Sequence, residues 1–413
     1  MLWTWQRPRR RQSRLGPNPR LEAELGLVLD SYPDIRAAPD NWREAGTADY
    51  LFRDHQLLVR DAQLPRLRRM AWRLEREDNL IDGVTLLRAR GRLPKLLAEC
   101  DERLGVGVVT PNHVLSLSGG NAGLCPATEP EEPGAVDPWP HKSDPTGGAG
   151  VRVAVVDTGF LEEGWTKPWL AGVVVDGQDV EDPDSYPKPD GFIDPYAGHG
   201  TFIAGVVRAL APGAEVTVEQ VIDRAGVVDE AKLLAQLDDA LAKSPDIIAM
   251  SAGGYTRRNL PPLSFATFWE QRLRHHKGVV LVVAAGNDST RVPFWPAAFP
   301  WAISVGALAR NQDSRAKYSN AAGWVDVYAL GDDLVNAYAT GKYRCVIAPH
   351  EVRHFSGMAR WSGTSFAVPV FAAAIAERMS RTGENSRHSA DALLADALKN
   401  QLVGVGPRLL LSL

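Results

Sequence analysis

The sequence predicts an α/β chain, with a large three-layer αβα unit around a mainly parallel sheet preceded by a small α/β unit. Three observations carry this. Beyond residue 150, apolar runs at 151–156 (VRVAVV), 215–221 (EVTVEQV), 247–251 (IIAMS), 279–284 (VVLVVA) and 302–305 (AISV) alternate with helix-like segments at 200–209, 230–243 and 265–276. Runs without polar alternation are strands covered on both faces, which is how a parallel sheet between two helical layers reads. Upstream, residues 119–149 crowd glycine, proline and acidic residues without any hydrophobic period and read as an exposed linker. Before that linker a shorter strand and helix alternation is compressed into about 70 residues, the size of one small unit.

Taken in order, residues 1–48 begin with a polar, proline- and arginine-containing stretch and predict a disordered or irregular arm. Residues 49–118 form the small unit. Within it 55–60 (HQLLVR) reads as a strand, 64–74 (LPRLRRMAWRL) as a helix, 83–88 (GVTLLR) as a strand, 93–104 (LPKLLAECDERL) as a helix and 106–117 as one or two further strands. This βαβαβ order predicts a ferredoxin-like sandwich with its helices on one face. The large unit spans 150–413.

Composition narrows the function classes. The 413 residues can bury a sizeable core, and 46 basic against 50 acidic residues, a net charge of −4, favour neither nucleic acid nor membrane as a partner. No apolar stretch follows the early arginines as a secretory signal would require, and no run approaches the roughly 20 residues of a membrane helix. A cytoplasmic location is the expectation. Cys100, Cys125 and Cys345 are odd in number and widely spaced, with no CxxC or Cys/His pattern, so free thiols are expected and a metal site is not.

Three short motifs carry chemistry. Asp157 follows the first buried strand and precedes Thr158-Gly159; alone, it reads equally as a turn. His199 stands in GHGTFIAGVV, between two glycines at the start of an apolar helix. Ser365 stands in GTSFAVP, where an N-cap serine is the competing explanation; the free amides and positive dipole end of a helix start would face its hydroxyl. Together and in this order, the three resemble the subtilase (S8) family, whose triad runs Asp, His, Ser. The likeness continues through VVAAGND (282–288), MSAGGY (250–255), FWPAAFPWAISVGAL (294–308) and KYSNAAGWVDVYALG (317–331), and covers roughly 150–376.

The resemblance implies a subtilisin-like fold and a serine endopeptidase acting through an acyl-enzyme. It assigns Ser365 as nucleophile, His199 as base, Asp157 as orienting acid and Asn287 as side-chain oxyanion donor. It implies a peptide or protein substrate paired along Ser251, Ala252 and Gly253 and along Ala284, Ala285 and Gly286. No cofactor is required; calcium stabilises many relatives, yet no loop here has a readable ligand spacing. Phe202, Phe366 and Val370 depart from common family residues at positions that carry no proton. Residues 336–360 exceed what a compact member needs and read as a surface insertion or a loop over the cleft. The small unit resembles a subtilase propeptide in position and pattern, which would place its C-terminal segment, 110–120, in the cleft. A processing protease of narrow specificity fits this organisation; the alternative is an inactive subtilase fold used for binding. A doubly wound nucleotide-binding domain is disfavoured, because no G-x-G-x-x-G or P-loop follows the first strand.

Overall fold

The computed structural model describes residues 19–70, 73–117, 127–185, 189–222 and 225–411. The first 18 residues of the expected arm, Cys125 and the start of the expected linker lie outside them.

The small unit begins earlier than its hydrophobic pattern suggested. Helix α1 (Pro19–Ser31) buries Leu21, Leu25 and Val28, spaced four and three residues apart so that they share one face. These side chains pack with Ile35 and Ala37 of β1 (Ile35–Ala38), which pairs with β2 (Tyr50–Arg60). The expected irregular arm is therefore ordered from residue 19 onward. The sheet continues with β3 (Leu74–Ile81), β4 (Val84–Ala89) and β5 (Val109–Ser116), while α2 (Leu93–Arg103) covers one face. The expected helix at 64–74 is only a short turn at Leu64–Leu67, and the chain enters β3 at Leu74. The signal for that strand is its hairpin turn: Ile81 pairs with Val84 across Asp82-Gly83, with Gly83 at φ 101°, a conformation open to glycine. All pairings are antiparallel, in the order β5-β2-β4-β3.

The large unit is built on seven parallel strands: β6 (Arg152–Asp157), β7 (Val174–Val175), β8 (Glu215–Gln220), β10 (Ile247–Met250), β11 (Val280–Ala284), β12 (Ile303–Leu308) and β13 (Val327–Leu330). Their order is β13-β12-β11-β10-β6-β8-β7. Alternate residues of β6 feed two cores. Val153 and Val155 pack under α3 (His199–Leu210) and α6 (Thr364–Thr382), while Ala154 and Val156 pack under α4 (Glu230–Ala242) and α5 (Leu263–Gln271). Burial on both faces explains the unbroken apolar runs.

The two units are continuous. Strand β9 (Val227–Asp229) of the large unit pairs antiparallel with β5 and adds a further strand to the small sheet. Leu58, Ile81, Val84 and Leu86 share a core with Leu234, Leu237 and Phe268. Residues 127–149, expected as exposed linker, instead lie along the large unit: Ala127 and Glu129 are buried, and Glu131 and Trp139 pair with Arg360 and Val335. Backbone pairing, which composition cannot reveal, holds this stretch. Residues 336–360 form a hairpin of β14 (Leu334–Arg344) and β15 (Val352–Trp361). Among the described residues no helix is long and apolar enough to cross a membrane.

Candidate active site

A parallel sheet directs chemistry to the C-terminal ends of its strands, where loops leave the core carrying polar groups. Asp157 is the last residue of β6 and is fully buried. Its Oδ1 accepts the Thr158 N–H at 2.8 Å and meets His199 Nδ1 at 2.6 Å. With a carboxylate on Nδ1, that nitrogen carries the proton and Nε2 presents its lone pair.

His199 opens α3 after Gly198, which takes a left-handed φ of 79°. Gly200 is fixed by close approach: a Cβ there would lie 2.3 Å from Gly159 O, so only glycine lets the helix start reach the Asp157 turn. The Gly200 N–H donates to Thr158 Oγ1 at 3.0 Å, and both Thr158 Oγ1 (3.3 Å) and the Gly198 N–H (2.9 Å) donate to Glu181 Oε2. Glu181 thus ties the two halves of the Asp157–His199 pair together. Burial, with Asp157 and Asp194 nearby, pushes its carboxyl well above the usual range in spite of the Gly198 donor.

An aromatic wall fixes the imidazole. The rings of Trp361 and Phe366 lie 5.4 and 5.2 Å from that of His199, and Phe202 packs 4.6 Å from Phe366. The two phenylalanines that depart from common family residues therefore pack with each other beside His199.

Ser365 lies in the first turn of α6, whose amides there have no intrahelical partner. Its carbonyl accepts the Ser251 hydroxyl at 3.0 Å. Asn287 follows β11 on a turn made by Gly286, at φ 95°. Asn287 Oδ1 accepts both the N–H and the hydroxyl of Thr364 at 2.9 Å, which turns its Nδ2 away from Thr364. Asn320 holds the same turn, accepting from Asp288 N and Thr290 N and donating to Ala285 O at 2.8 Å.

Ser365 Oγ, His199 Nε2 and Asn287 Nδ2 are all buried and without hydrogen-bond partners, so the hydroxyl and the imidazole are not bonded to each other. Buried polar atoms are normally paired, at a cost of about 1–3 kcal/mol when they are not, and here three such atoms lie on elements that converge, the starts of α3 and α6 and the turn after β11.

Of the six residues expected to line the substrate, Gly253 does so toward the chain's own segment: Ser116 and Gly253 exchange two backbone bonds, at 2.8 and 2.9 Å. Ser251 faces Ser365, and Ala252 is buried in the core. Ala284 and Ala285 are buried as well, and the Ala285 and Gly286 amides already donate to Val305 O and Thr364 Oγ1. The opposite side of the groove is formed by Gly226 and β9, where the Leu117 N–H donates to Gly226 O at 3.1 Å. Leu115 and Leu117 are buried between these two borders. The sequence reading assigned no role to Glu181, Thr158, Gly226 or Asn320; Thr158 stood in the Asp-Thr-Gly motif and Asn320 in the Ser-Asn passage, whereas Glu181 and Gly226 carried no signal.

Among the described residues, no cluster of three or more His, Cys, Asp or Glu side chains could hold a metal ion.

Residues 148–407 match the Subtilase family. The chain is 30% identical over 240 residues to thermitase of Thermoactinomyces vulgaris, covering 56% of this chain and 75% of that protein. It is 31% identical over 246 residues to the intracellular serine protease of Paenibacillus polymyxa, covering 56% and 67%. A thermophilic serine proteinase of Bacillus sp. (strain AK1) is 30% identical over 254 residues, covering 58% of this chain and only 54% of that protein. Among solved structures, a cold adapted subtilisin-like serine proteinase aligns over 65% of this chain and 90% of its own, at 20% identity and a TM-score of 0.48. With the match extending over most of the chain and taking in every motif above, this protein belongs to the subtilase family of serine endopeptidases.

Proposed function

We propose that this protein cleaves peptide bonds with Ser365 as nucleophile, His199 as general base and Asp157 as the group that aligns the imidazole. The observation that carries this reading is the short Asp157–His199 bond beside three unpartnered polar atoms, Ser365 Oγ, His199 Nε2 and Asn287 Nδ2.

The Ser365 oxygen attacks the substrate carbonyl carbon as its proton passes to His199 Nε2, the Oγ–C bond forming while the carbonyl π pair moves onto oxygen. Asp157 stabilises the imidazolium through the Nδ1 proton without taking it. The tetrahedral oxyanion meets the Asn287 amide and the Ser365 N–H, whose positions are set before reaction by Thr364 and by the helix start. The imidazolium then protonates the leaving amine, and water repeats the sequence to release the acid.

The small unit acts in cis as a propeptide-like inhibitor, with 115–117 occupying the acyl side of the groove. Its support is the double backbone bond of Ser116 with Gly253 and the burial of Leu115 and Leu117. Specificity is narrow on this reading, since the groove fits its own chain's aliphatic and small residues in alternation. Mass spectrometry of the purified chain tests both parts. Cleavage between Leu117 and Thr128 that disappears in Ser365→Ala supports them, and an intact wild-type chain that hydrolyses peptides freely removes the inhibitory role.

A further inference from the structure

The chain reaches the nucleophile from two directions. Beyond the groove filled by 115–117, residues 127–132 run along the outer edge of β15. The Thr128 N–H donates to Ser362 O at 3.4 Å, the Ser362 N–H to Thr128 Oγ1 at 3.3 Å and the Trp361 indole N–H to Thr128 O at 2.7 Å. Glu131 and Arg360 exchange two backbone bonds, at 2.9 and 2.8 Å. Ser362 leads directly into Gly363-Thr364-Ser365, and Trp361 touches the His199 ring. This pairing thus lies beside the reacting groups, on a different border from the Ser116–Gly253 pairing.

The side chains are held as well. Glu129 is only 8% exposed, and its Oε1 accepts from the Tyr343 hydroxyl at 3.0 Å and from the Val346 N–H at 2.5 Å. The turn that presents Val346 is closed by the Cys345 N–H to Glu351 O at 2.8 Å, so the hairpin itself fixes these donors. Glu132 accepts the His354 N–H at 3.0 Å, Arg353 donates to Pro130 O at 2.6 Å, and the Arg360 guanidinium binds the Glu131 carboxylate. The Arg360–Glu131 pair is half exposed and contributes little affinity, whereas a buried carboxylate with fixed donors discriminates strongly, because its loss strands them.

We propose that the β14–β15 hairpin recognises the leaving-group side of the substrate, that it selects an extended peptide with acidic residues there, and that residues 128–132 occupy this surface in cis until substrate displaces them. The inference rests on the hydrolase reading above and adds a substrate class to it.

The test gives the full chain two peptides with Leu-Ser-Leu-Ser on the acyl side, followed by Thr-Glu-Pro-Glu-Glu or by Thr-Ala-Pro-Ala-Ala. The acidic peptide is expected to have a kcat/KM about tenfold higher, the scale of one charge-assisted hydrogen bond. Tyr343→Phe combined with Arg360→Gln should narrow that ratio, and Glu129→Ala combined with Glu131→Ala should raise turnover of both peptides by weakening the competing segment. Equal kcat/KM for the two peptides, or a preference unchanged by the hairpin variants, overturns the proposal. So does a chain that a fluorophosphonate labels at Ser365 but that cleaves neither peptide, even with both glutamates replaced; the hydrolase reading survives that outcome. Absence of labelling even after the small unit has been released sinks both.

Discussion

At the scale of single residues, the site is a set of small geometric necessities. Gly200 lets the His199 helix approach Gly159, Thr364 turns the Asn287 amide, and Glu181 bridges the two motifs that hold Asp157 and His199. The motif residues were legible in sequence because each lies in a local pattern with its own mechanical reason. Glu181 was not, since its partners Thr158 and Gly198 come from separate stretches and meet only in the folded chain. Replacing Asn287 by alanine should lower kcat by about 10²–10³ with KM little changed, the scale seen when one oxyanion donor is removed from a subtilisin; steady-state kinetics on a peptide substrate reads this. For Glu181, a carboxyl raised above its unfolded value stabilises the fold below that value, near 4.5, and loses the contribution as pH rises through the folded one. Melting temperatures of Glu181→Gln should therefore overtake those of the wild type as pH rises from 4.5 toward neutrality. Parallel curves would show that Glu181 is not held neutral.

Among elements, the parallel strands were the most legible because burial on both faces leaves unbroken apolar runs. Strand β3 was hidden: LEREDNLI has neither apolar periodicity nor strong strand formers, and only its Asp82-Gly83 turn betrays the hairpin. Helix α1 did carry a readable stripe in Leu21, Leu25 and Val28, obscured by the polar residues ahead of it. On the proposed inhibitory reading β5 is the acting element of the small unit, because its last residue, Ser116, pairs with Gly253 as well as with β9. Ser116→Pro removes the N–H that meets Gly253 O. The full-length variant should turn over a small peptide several-fold faster than the wild type, as its hold on the groove weakens; unchanged turnover would mean that β5 does not restrain the enzyme.

For the molecule as a whole, composition suggested two units joined by a linker, whereas the structure gives one continuous body. Linker-like composition reports weak secondary structure and is silent about backbone pairing to a distant strand. The junction is also polar where it is buried, as at His113. His113 Nδ1 meets Glu230 Oε2 at 2.8 Å, and its Nε2 accepts the Arg257 N–H at 3.1 Å. Glu230 receives the Ser264 hydroxyl and N–H on its other oxygen. His113→Ala strands a buried carboxylate oxygen and a backbone amide, at a cost of about 3 kcal/mol. The variant should show a lowered unfolding midpoint with the small unit losing hydrogen-exchange protection first.

The claim on which all of this depends is that the imidazole of His199, aligned by Asp157, makes the Ser365 oxygen nucleophilic. Treating the purified chain with a fluorophosphonate and mapping the adduct by mass spectrometry tests it most directly. One phosphonyl group on Ser365, lost in Ser365→Ala and in His199→Ala, is the predicted result. No adduct on the wild-type chain even after the small unit has been released, or an adduct that survives in Ser365→Ala, would contradict it.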